Sequence, residues 1–227
     1  MLAKDEIRRA LAARPPAVVT DPARPRAAVA LVLRDADRPA PGPDVLLIER
    51  ARHEGDPWSG HMAFPGGRVD PIDPDPRAAA ERETLEEVGL PLGGAELLGQ
   101  LDDLEGRHAG RRLPLVISAW VYHVPEPGPL TLNYEVQEAL WVPLRRIVDP
   151  RHHVEYPTPW AGYPGILVGR PERHVVWGLT YRFLEIFLDR LGHPLPNRWH
   201  QVPDARLDEE SGDAGAKPGQ ARTGSGG

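Results

Sequence analysis

The stretch at residues 66–90, GGRVDPIDPDPRAAAERETLEEVGL, joins a pair of glycines to a segment with the features of a helix. Pro76 stands near the start of that segment, where a missing N–H costs little, and Gly89 stands at its end. These two signals predict a helix over residues 76–88. The positions on it that are expected to face the core are Ala79, Ala80, Leu85 and Val88.

Three carboxylates stand on this predicted helix: Glu83, Glu86 and Glu87. Offsets of three and four residues place side chains on one helix face, where like charges repel. A bound divalent cation would reverse the sign of that interaction. Carboxylate oxygens suit Mg²⁺ or Mn²⁺, and Mg²⁺ sites usually involve substrate phosphates as well. The cluster therefore predicts metal-assisted chemistry on a phosphorylated compound, with a solvated charged helix face as the alternative.

The glycine pair before the helix belongs to the same predicted site. Gly66 and Gly67 permit a close approach of the backbone that a Cβ would hinder, so the loop can offer a carbonyl to a metal. Arg82 is expected to pair with an acid of the loop, with Asp73 as the first candidate, and so to pin the loop to the helix.

Composition limits the classes of protein to consider. The 227 residues suit one large domain or a domain with extensions, and the net charge of −6 gives no general attraction to nucleic acid or to an anionic membrane. The absence of cysteine excludes disulfides and thiolate metal sites. No apolar run approaches the roughly 20 residues that span a bilayer, and the first residues lack the apolar core of a signal peptide. We therefore expect a cytoplasmic protein; the sequence leaves a homodimer open.

Hydrophobic patterning predicts an α/β (α+β) domain in which a mixed sheet is covered by helices on both faces. The predicted strands are residues 26–34, 44–49, 62–64, 95–101, 113–124 and 139–142, and residues 174–191 combine a strand with an amphipathic helix. A helix at residues 4–13 comes before them. The expected divisions are an N-terminal helix and linker at 1–25, the catalytic domain at 26–192 and a disordered tail at 193–227.

The segment at residues 66–90 resembles the signature box of Nudix hydrolases, G-x5-E-x7-R-E-U-x-E-E-x-G-U, where U is apolar. The matching positions are Gly67, Arg82, Glu83, Glu86, Glu87, Gly89 and Leu90. The loop acid is Asp73 rather than Glu, eight residues instead of seven separate it from Arg82, and Thr84 replaces an apolar residue. The first two departures are shared by the branch of the family that resembles coenzyme A pyrophosphatases.

The resemblance implies a Nudix fold and attack of water on a phosphorus of a nucleoside diphosphate linked to another group, X. It assigns catalysis to Glu83, Glu86, Glu87 and Arg82. Glu83 and Glu87 would be the principal ligands of Mg²⁺ or Mn²⁺, with Glu86 and the Gly67 carbonyl as further ligands. An additional acid, Glu135 or Glu138, is a candidate for activating the water; a solvated turn acid is the alternative for both.

The residues before the box bear on the substrate. LLIERARHEGDPWSGHMAFPGG, residues 46–67, is similar to the stretch that precedes the box in coenzyme A pyrophosphatases, and it suggests substrate contacts by Arg50, Trp58, Phe64 and Gly66. Asp56 stands where a cation is expected, and Arg52 and His53 are the nearest alternatives. His61 is interpreted as a loop histidine. A later segment resembles the same branch through Trp177 and Thr180, where packing is the simpler explanation for Trp177.

Residues 102–108 are polar and are interpreted as a flexible loop at the pocket edge, with Arg111 and Arg112 as candidate phosphate ligands. Three functions follow in order of preference. The first is hydrolysis of coenzyme A or acyl-CoA to 4′-phosphopantetheine and adenosine 3′,5′-bisphosphate. The second is hydrolysis of ADP-ribose, a dinucleotide or a nucleoside triphosphate. The third is a non-catalytic nucleotide-binding module, which predicts eroded box acids, whereas all three glutamates are present.

Overall fold

A computed structural model describes residues 3–36, 42–52, 58–108, 111–157 and 162–196. The helices are α1 (Lys4–Ala12), α2 (Pro76–Val88), α3 (Leu144–Val148) and α4 (Gly178–Arg190), and a 3₁₀ turn spans Pro150–His152. The strands are β1 (Arg26–Arg34), β2 (Asp44–Arg50), β3 (Met62–Ala63), β4 (Gly66–Arg68), β5 (Glu96–Gln100), β6 (Leu104–His108), β7 (Arg111–His123), β8 (Val136–Pro143), β9 (His153–Pro157), β10 (Gly162–Leu167) and β11 (Val175–Val176).

The main sheet has eight strands and is mixed. β1 pairs in parallel with β7, and all the other pairs of this sheet are antiparallel. β1 is a continuous apolar run because both of its faces are buried. Alanines and Val32 face a core shared with α2, while Leu31 and Leu33 face a second core shared with α1 and α4. The predicted mixed sheet between helices is therefore confirmed.

The sheet splits between β1 and β2, and the split holds the glycine pair. These two strands pair only at Leu33 with Val45 and at Arg34 with Asp44. Beyond that point β3 pairs with β2, and β4 pairs with β1. The chain from β3 to β4 thus crosses from one half of the sheet to the other, which inserts the glycines between the halves.

Local signals define α2 at both ends. The Asp75 side chain accepts a hydrogen bond from the Ala78 N–H (2.8 Å), and Pro76 occupies the first turn. Gly89 ends the helix in the left-handed region, with φ of 69°. The predicted bounds of 76–88 are confirmed for these reasons.

The prediction for the inner face of α2 was wrong at one position. Leu85 is exposed, and the buried positions beside the alanines and Val88 are Thr84 and Glu87. The Thr84 hydroxyl donates to the Ala80 carbonyl (2.7 Å), which satisfies its polar atom and explains how threonine occupies an apolar position of the box. Leu85, which was expected to face the core, therefore points outward, and Glu87 is buried on the inner face of the helix.

The predicted flexible loop at 102–108 is also corrected. Residues 104–108 form β6, which pairs with β7. Asp102 accepts hydrogen bonds from the Arg14 side chain (2.7 Å), the Ala17 N–H (2.7 Å) and the Arg190 side chain (2.5 Å). Asp103 accepts from the Val19 N–H and the Arg26 side chain, each at 2.9 Å. The two carboxylates are fixed because they bind the segment after α1 to β1 and α4.

A second sheet has three strands: β9 and β10 were not predicted, whereas β11 lies at the start of the segment that was predicted to combine a strand with a helix. β9 and β10 form an antiparallel hairpin, and β11 joins it just before α4. The predicted tail at 193–227 lies outside the described residues from position 197 onward. Within the described ranges, no helix is long and apolar enough to cross a membrane.

Candidate active site

Gly66 sits at the bottom of the split, where only glycine fits. Its φ is 148°, and a Cβ placed there would lie 2.2 Å from the Ala28 carbonyl oxygen and 2.6 Å from the Val29 Cα. The same residue donates its N–H to the Glu87 carboxylate at 2.8 Å. Gly66 therefore brings β4 against β1 and holds one predicted metal ligand.

Glu83 lies directly on the next glycine. A Cβ on Gly67 would be 2.3 Å from Oε1 of Glu83, so the carboxylate occupies the space that any larger residue would fill. Glu83 and Glu87 thus both lean from α2 onto β4. Glu86 points farther outward, with 52% of its side chain exposed. The structure brings Glu83, Glu87 and Gly67 together as predicted and places Glu86 at the outer edge.

Burial perturbs the two inner carboxylates. The Glu87 side chain is 2% exposed, and this burial is the main cause that raises its pKa from 4.5 to about 8. The Gly66 hydrogen bond and the Arg50 guanidinium, 4.0 Å from Glu87, oppose the shift. Burial likewise raises the pKa of Glu83. Carboxylates that are desolvated in this way carry their negative charge at a cost unless a cation compensates it.

Arg82 holds the box together from outside. Its guanidinium contacts both carboxylate oxygens of Asp73 at 3.0 Å, as predicted, and lies 3.0 Å from Glu86 and 3.1 Å from Glu83. It also donates to the Arg68 carbonyl at 3.2 Å. The Arg82 hydrogen bonds hold the pKa of Asp73 below its ordinary value. These contacts indicate that Arg82 orients the loop and the glutamates.

The glycines and Glu83 open into a cavity of about 450 Å³. The residues predicted to bind substrate, Arg50, Trp58, Phe64 and Gly66, all line it, as do Glu135 and the unpredicted Arg68. The rest of its wall is mainly apolar and aromatic: Ala27, Val29, His61, Met62, Ala63, Leu115, Ile117, Trp177, Leu179 and Phe183. The cavity therefore joins an acidic end to an apolar wall, as expected for a site that binds an organic phosphate.

Sequence reasoning did not place Trp177 or Arg68 in this cavity. Trp177 was interpreted as a packed aromatic, but it is only partly buried and lines the cavity. Arg68 directly follows the glycine pair, and that position was the available signal. Its side chain makes no ion pair with any residue that the structure describes. His53 and Asp56 lie outside the described residues, and so do the side chains of Arg111 and Arg112.

The two candidate extra acids lie in different surroundings. Glu135 lines the cavity with Glu83, and its charge raises the pKa values of Glu83 and Glu87 further. Its backbone is fixed, since its N–H donates to the Asn133 side chain (2.8 Å) and its carbonyl accepts from the Ala51 N–H (2.7 Å). Glu138 instead joins a separate polar cluster on β2, β8 and the turn before β11.

This separate cluster contains Glu49, Glu138 and His174, three residues with oxygen and nitrogen atoms close enough to hold a metal. The imidazole argues against that role. The Arg170 N–H donates to His174 Nδ1 at 3.1 Å, so the proton of the neutral ring is on Nε2, which faces both carboxylates at 3.4 Å. A metal at Nε2 would need the lone pair that this proton occupies.

The charges of the cluster are also balanced. Arg173 forms a two-point ion pair with Glu49 (2.5 and 3.1 Å), and Arg170 pairs with Glu138. Two arginines and two carboxylates sum to zero beside a neutral histidine, which leaves no negative charge for a cation. We interpret the cluster as structural, because it holds the turn at residues 170–174 against the sheet. We refer to these five residues, Glu49, Glu138, Arg170, Arg173 and His174, as the polar lock.

The donor set at the box, in contrast, fits a hard divalent cation. Glu83 lies against the backbone of Gly67, where the absence of a Cβ lets the carboxylate come so close, and Glu87 accepts a hydrogen bond from the Gly66 N–H. Carboxylate and carbonyl oxygens are the ligands that Mg²⁺ and Mn²⁺ prefer. Glu86 can complete the set from the edge.

Comparison with known proteins agrees with this geometry. A family model described as the NUDIX domain matches residues 23–160. A Nudix hydrolase called NudL, itself uncharacterized, from Salmonella paratyphi B is 38% identical over 157 residues, which cover 68% of this chain and 78% of that protein. The chain belongs to the Nudix family.

Two other known proteins are similar to a smaller part of this chain. An uncharacterized protein of Schizosaccharomyces pombe is 40% identical over 112 residues, or 48% of this chain and 34% of that protein. The chain thus spans about a third of this relative. The crystal structure of a C. elegans Ap4A hydrolase binary complex covers 55% of this chain and 83% of its own, with 23% identity and a TM-score of 0.44.

Proposed function

We propose that this protein is a metal-dependent pyrophosphohydrolase that cleaves a nucleoside diphosphate linked to X. The observation that carries the proposal is the position of two carboxylates on the glycine pair: Glu83 lies against Gly67 and lines the cavity, and Glu87 accepts from the N–H of Gly66, which also lines it. An enzyme with a net charge of −6 needs local positive charge to accept a pyrophosphate. A metal at the box, with Arg50 and Arg68 in the cavity wall, supplies it.

The box residues have different roles in the proposed reaction. Glu83 and Glu87 would hold Mg²⁺ or Mn²⁺, with Glu86 and the Gly67 carbonyl as further ligands. The metal, when bound, polarises the phosphoryl oxygens and neutralises developing charge. Arg82 contacts side chains of the protein itself and holds the loop acid and the glutamates in their relative positions. We therefore assign it a positioning role.

We assign activation of the attacking water to Glu135. It lines the cavity beside Glu83, and its backbone is fixed from two sides. A general base must lie within reach of the proton that it removes, and a rigid mounting favours that. Glu138 lacks these features because the polar lock engages it. Glu135 is therefore the better of the two sequence candidates.

For the substrate we propose coenzyme A or an acyl-CoA, cleaved to 4′-phosphopantetheine and adenosine 3′,5′-bisphosphate. The support is the upstream similarity over residues 46–67 and the location of Arg50, Trp58 and Phe64 in the cavity. ADP-ribose, a dinucleotide such as Ap4A or a nucleoside triphosphate is the alternative, and the acidic Asp56 in the upstream stretch favours it. A nucleotide-binding module without catalysis is the third candidate.

A product assay separates these candidates. The protein with Mg²⁺ or Mn²⁺ is incubated with coenzyme A, ADP-ribose, NADH, Ap4A and nucleoside triphosphates, and products are resolved by ion-exchange chromatography. We expect adenosine 3′,5′-bisphosphate from coenzyme A. Faster cleavage of another compound would move the assignment to the second class, and binding without cleavage of any would favour the third.

The raised pKa of Glu87 predicts that metal binding releases a proton. With a pKa of about 8, most Glu87 groups are protonated at pH 7 in the metal-free protein, whereas a ligand must be ionised. We expect Mg²⁺ to displace about one proton at pH 7 and far less at pH 9. Affinity should rise about tenfold per pH unit below pH 8 and then level off.

Isothermal titration calorimetry in two buffers of different ionisation enthalpy measures that proton directly. The Glu87→Gln variant lacks this proton, so its residual binding should depend less on the buffer. Equal proton release by both proteins would show that another group titrates.

A further inference from the structure

One wall of the cavity carries an ordered cluster of aromatic rings around Trp177. Tyr156 stacks on the indole, with ring centroids 4.4 Å apart and planes 12° apart. His61 and Tyr163 meet it edge to face, at 4.8 and 5.6 Å. Trp177 is nevertheless partly exposed and lines the cavity with Trp58 and His61. The box chemistry described above uses none of these rings.

The position of Trp177 is fixed from both directions along the chain. Before it, the polar lock fastens the turn at residues 170–174 to β2 through the Arg173–Glu49 ion pair. After it, α4 begins, and the Thr180 hydroxyl donates to the Met62 carbonyl on β3 at 3.1 Å. A side chain held in this way loses little conformational freedom when a ligand packs on it.

The second sheet supplies the support behind the indole. Tyr156 on β9 and Tyr163 on β10 are direct partners in the hairpin register, and both contact Trp177. Val176 on β11, next to the indole, pairs with Ile166 of the same hairpin. The hairpin stands outside the eight-stranded sheet, and its two tyrosines buttress one residue of the cavity wall.

The chemistry of this wall matches a flat, weakly polar group. Beside Trp177 the cavity is lined by Trp58, Leu179 and Phe183. Any nucleobase can stack on an aromatic side chain, because every base has a flat aromatic face. A flexible amide chain, in contrast, needs hydrogen-bond partners for its polar atoms. The carboxylates that would attract a metal and its phosphates come from other elements, α2 and the segment before β8.

We propose that Trp177, buttressed by Tyr156 and Tyr163, is the platform on which the base of the nucleotide substrate stacks. This inference rests on the proposed pyrophosphohydrolase function but not on coenzyme A as the substrate, because all the adenine nucleotides considered above share the base. Trp177 acts as a specificity-determining residue, and the two tyrosines act through it as positioning residues.

The test compares two non-hydrolysable ligands, α,β-methylene-ADP and methylene diphosphonate, which share the bridged phosphates and differ in the adenosine. Their dissociation constants are measured with Mg²⁺ on the full-length protein by calorimetry. For Trp177→Ala we expect about tenfold weaker binding of the nucleotide and unchanged binding of the diphosphonate. Trp177→Phe keeps a ring and should stay within about threefold of the wild type.

Trp141→Phe is the matched control, since Trp141 stacks with Arg34 and lies outside the cavity lining. It should change neither constant. Where Trp177→Ala fails to fold by circular dichroism, Trp177→Leu replaces it, because leucine fills space without an aromatic plane. Equal weakening of both ligands, or of neither, overturns the proposal, and so does a wild type that binds the diphosphonate alone. Failure of the proposed function shows separately, as absence of cleavage in the product assay.

Discussion

Replacing Glu87 by glutamine is expected to lower metal-dependent hydrolysis about a thousandfold while the fold is kept. Glutamine is of nearly the same size and can still accept the Gly66 hydrogen bond, but it has no charge to offer a cation. The turnover of coenzyme A, or of the substrate that the product panel selects, is measured with saturating Mg²⁺. The fold is checked by thermal unfolding.

The same variant should change how stability depends on pH. The pKa of Glu87 is raised in the folded protein, so its contribution to the free energy of unfolding is complete below pH 4.5 and is lost as the pH rises through about 8. In the absence of metal, the wild type should therefore lose stability between pH 5 and pH 9, and Glu87→Gln should lose less.

Glu81→Gln is the matched control for activity. Glu81 lies on the same helix, but it accepts a hydrogen bond from the Tyr122 hydroxyl (2.8 Å) and does not line the cavity. Its replacement should leave turnover within about twofold. Normal turnover in Glu87→Gln would remove that residue from the metal site, and equal losses in both variants would point to damage of α2 itself.

Replacing Gly66 by alanine is expected to cost about 3 kcal/mol of stability, together with activity. The new Cβ would press on the Ala28 carbonyl and the Val29 Cα, which are backbone atoms of the central strand and cannot rotate away. The backbone at φ of 148° also disfavours any side chain. Chemical denaturation measures the loss of free energy.

Substitutions at two other glycines distinguish a loss of stability from a direct effect on the active site. Gly128→Ala meets no atom within 4 Å and should be neutral in both measurements. Gly67→Ala meets the Glu83 carboxylate, a movable group, so it should impair activity more than stability. If Gly66→Ala were as stable as Gly128→Ala, the close packing of β4 on β1 would not be a requirement of the fold.

The sequence predicts those parts of this fold whose signals are local. The predicted bounds of α2 follow from Pro76 and Gly89, each of which acts within one helical turn. Arg82 and Asp73, which were predicted to pair, are nine residues apart and so are still close along the chain. Charge type and spacing, together with the preceding glycine pair, then indicate the metal site, since three glutamates at helical spacing alone would also fit a solvated charged face.

The parts that the sequence does not predict depend on distant partners. Whether Leu85 or Glu87 faces inward is decided by the split in the sheet, since Glu87 finds the Gly66 N–H there. The hairpin of β9 and β10 has short strands with prolines and glycines, which obscure a strand pattern. The role of Trp177 depends on tyrosines that come to it through that hairpin.

The two aspartates at positions 102 and 103 bear on where this domain begins. They bind Arg14, the backbone of Ala17 and Val19, and Arg190, across separations of more than 80 residues. A boundary after residue 25 would remove the Arg14 side chain and the N–H groups of Ala17 and Val19 from these carboxylates, and would leave them paired with Arg190 and Arg26. The proline-rich segment between α1 and β1, residues 13–25, is therefore part of the cooperative unit. We expect it to unfold together with the sheet in a single transition, and we expect its removal to destabilise the domain.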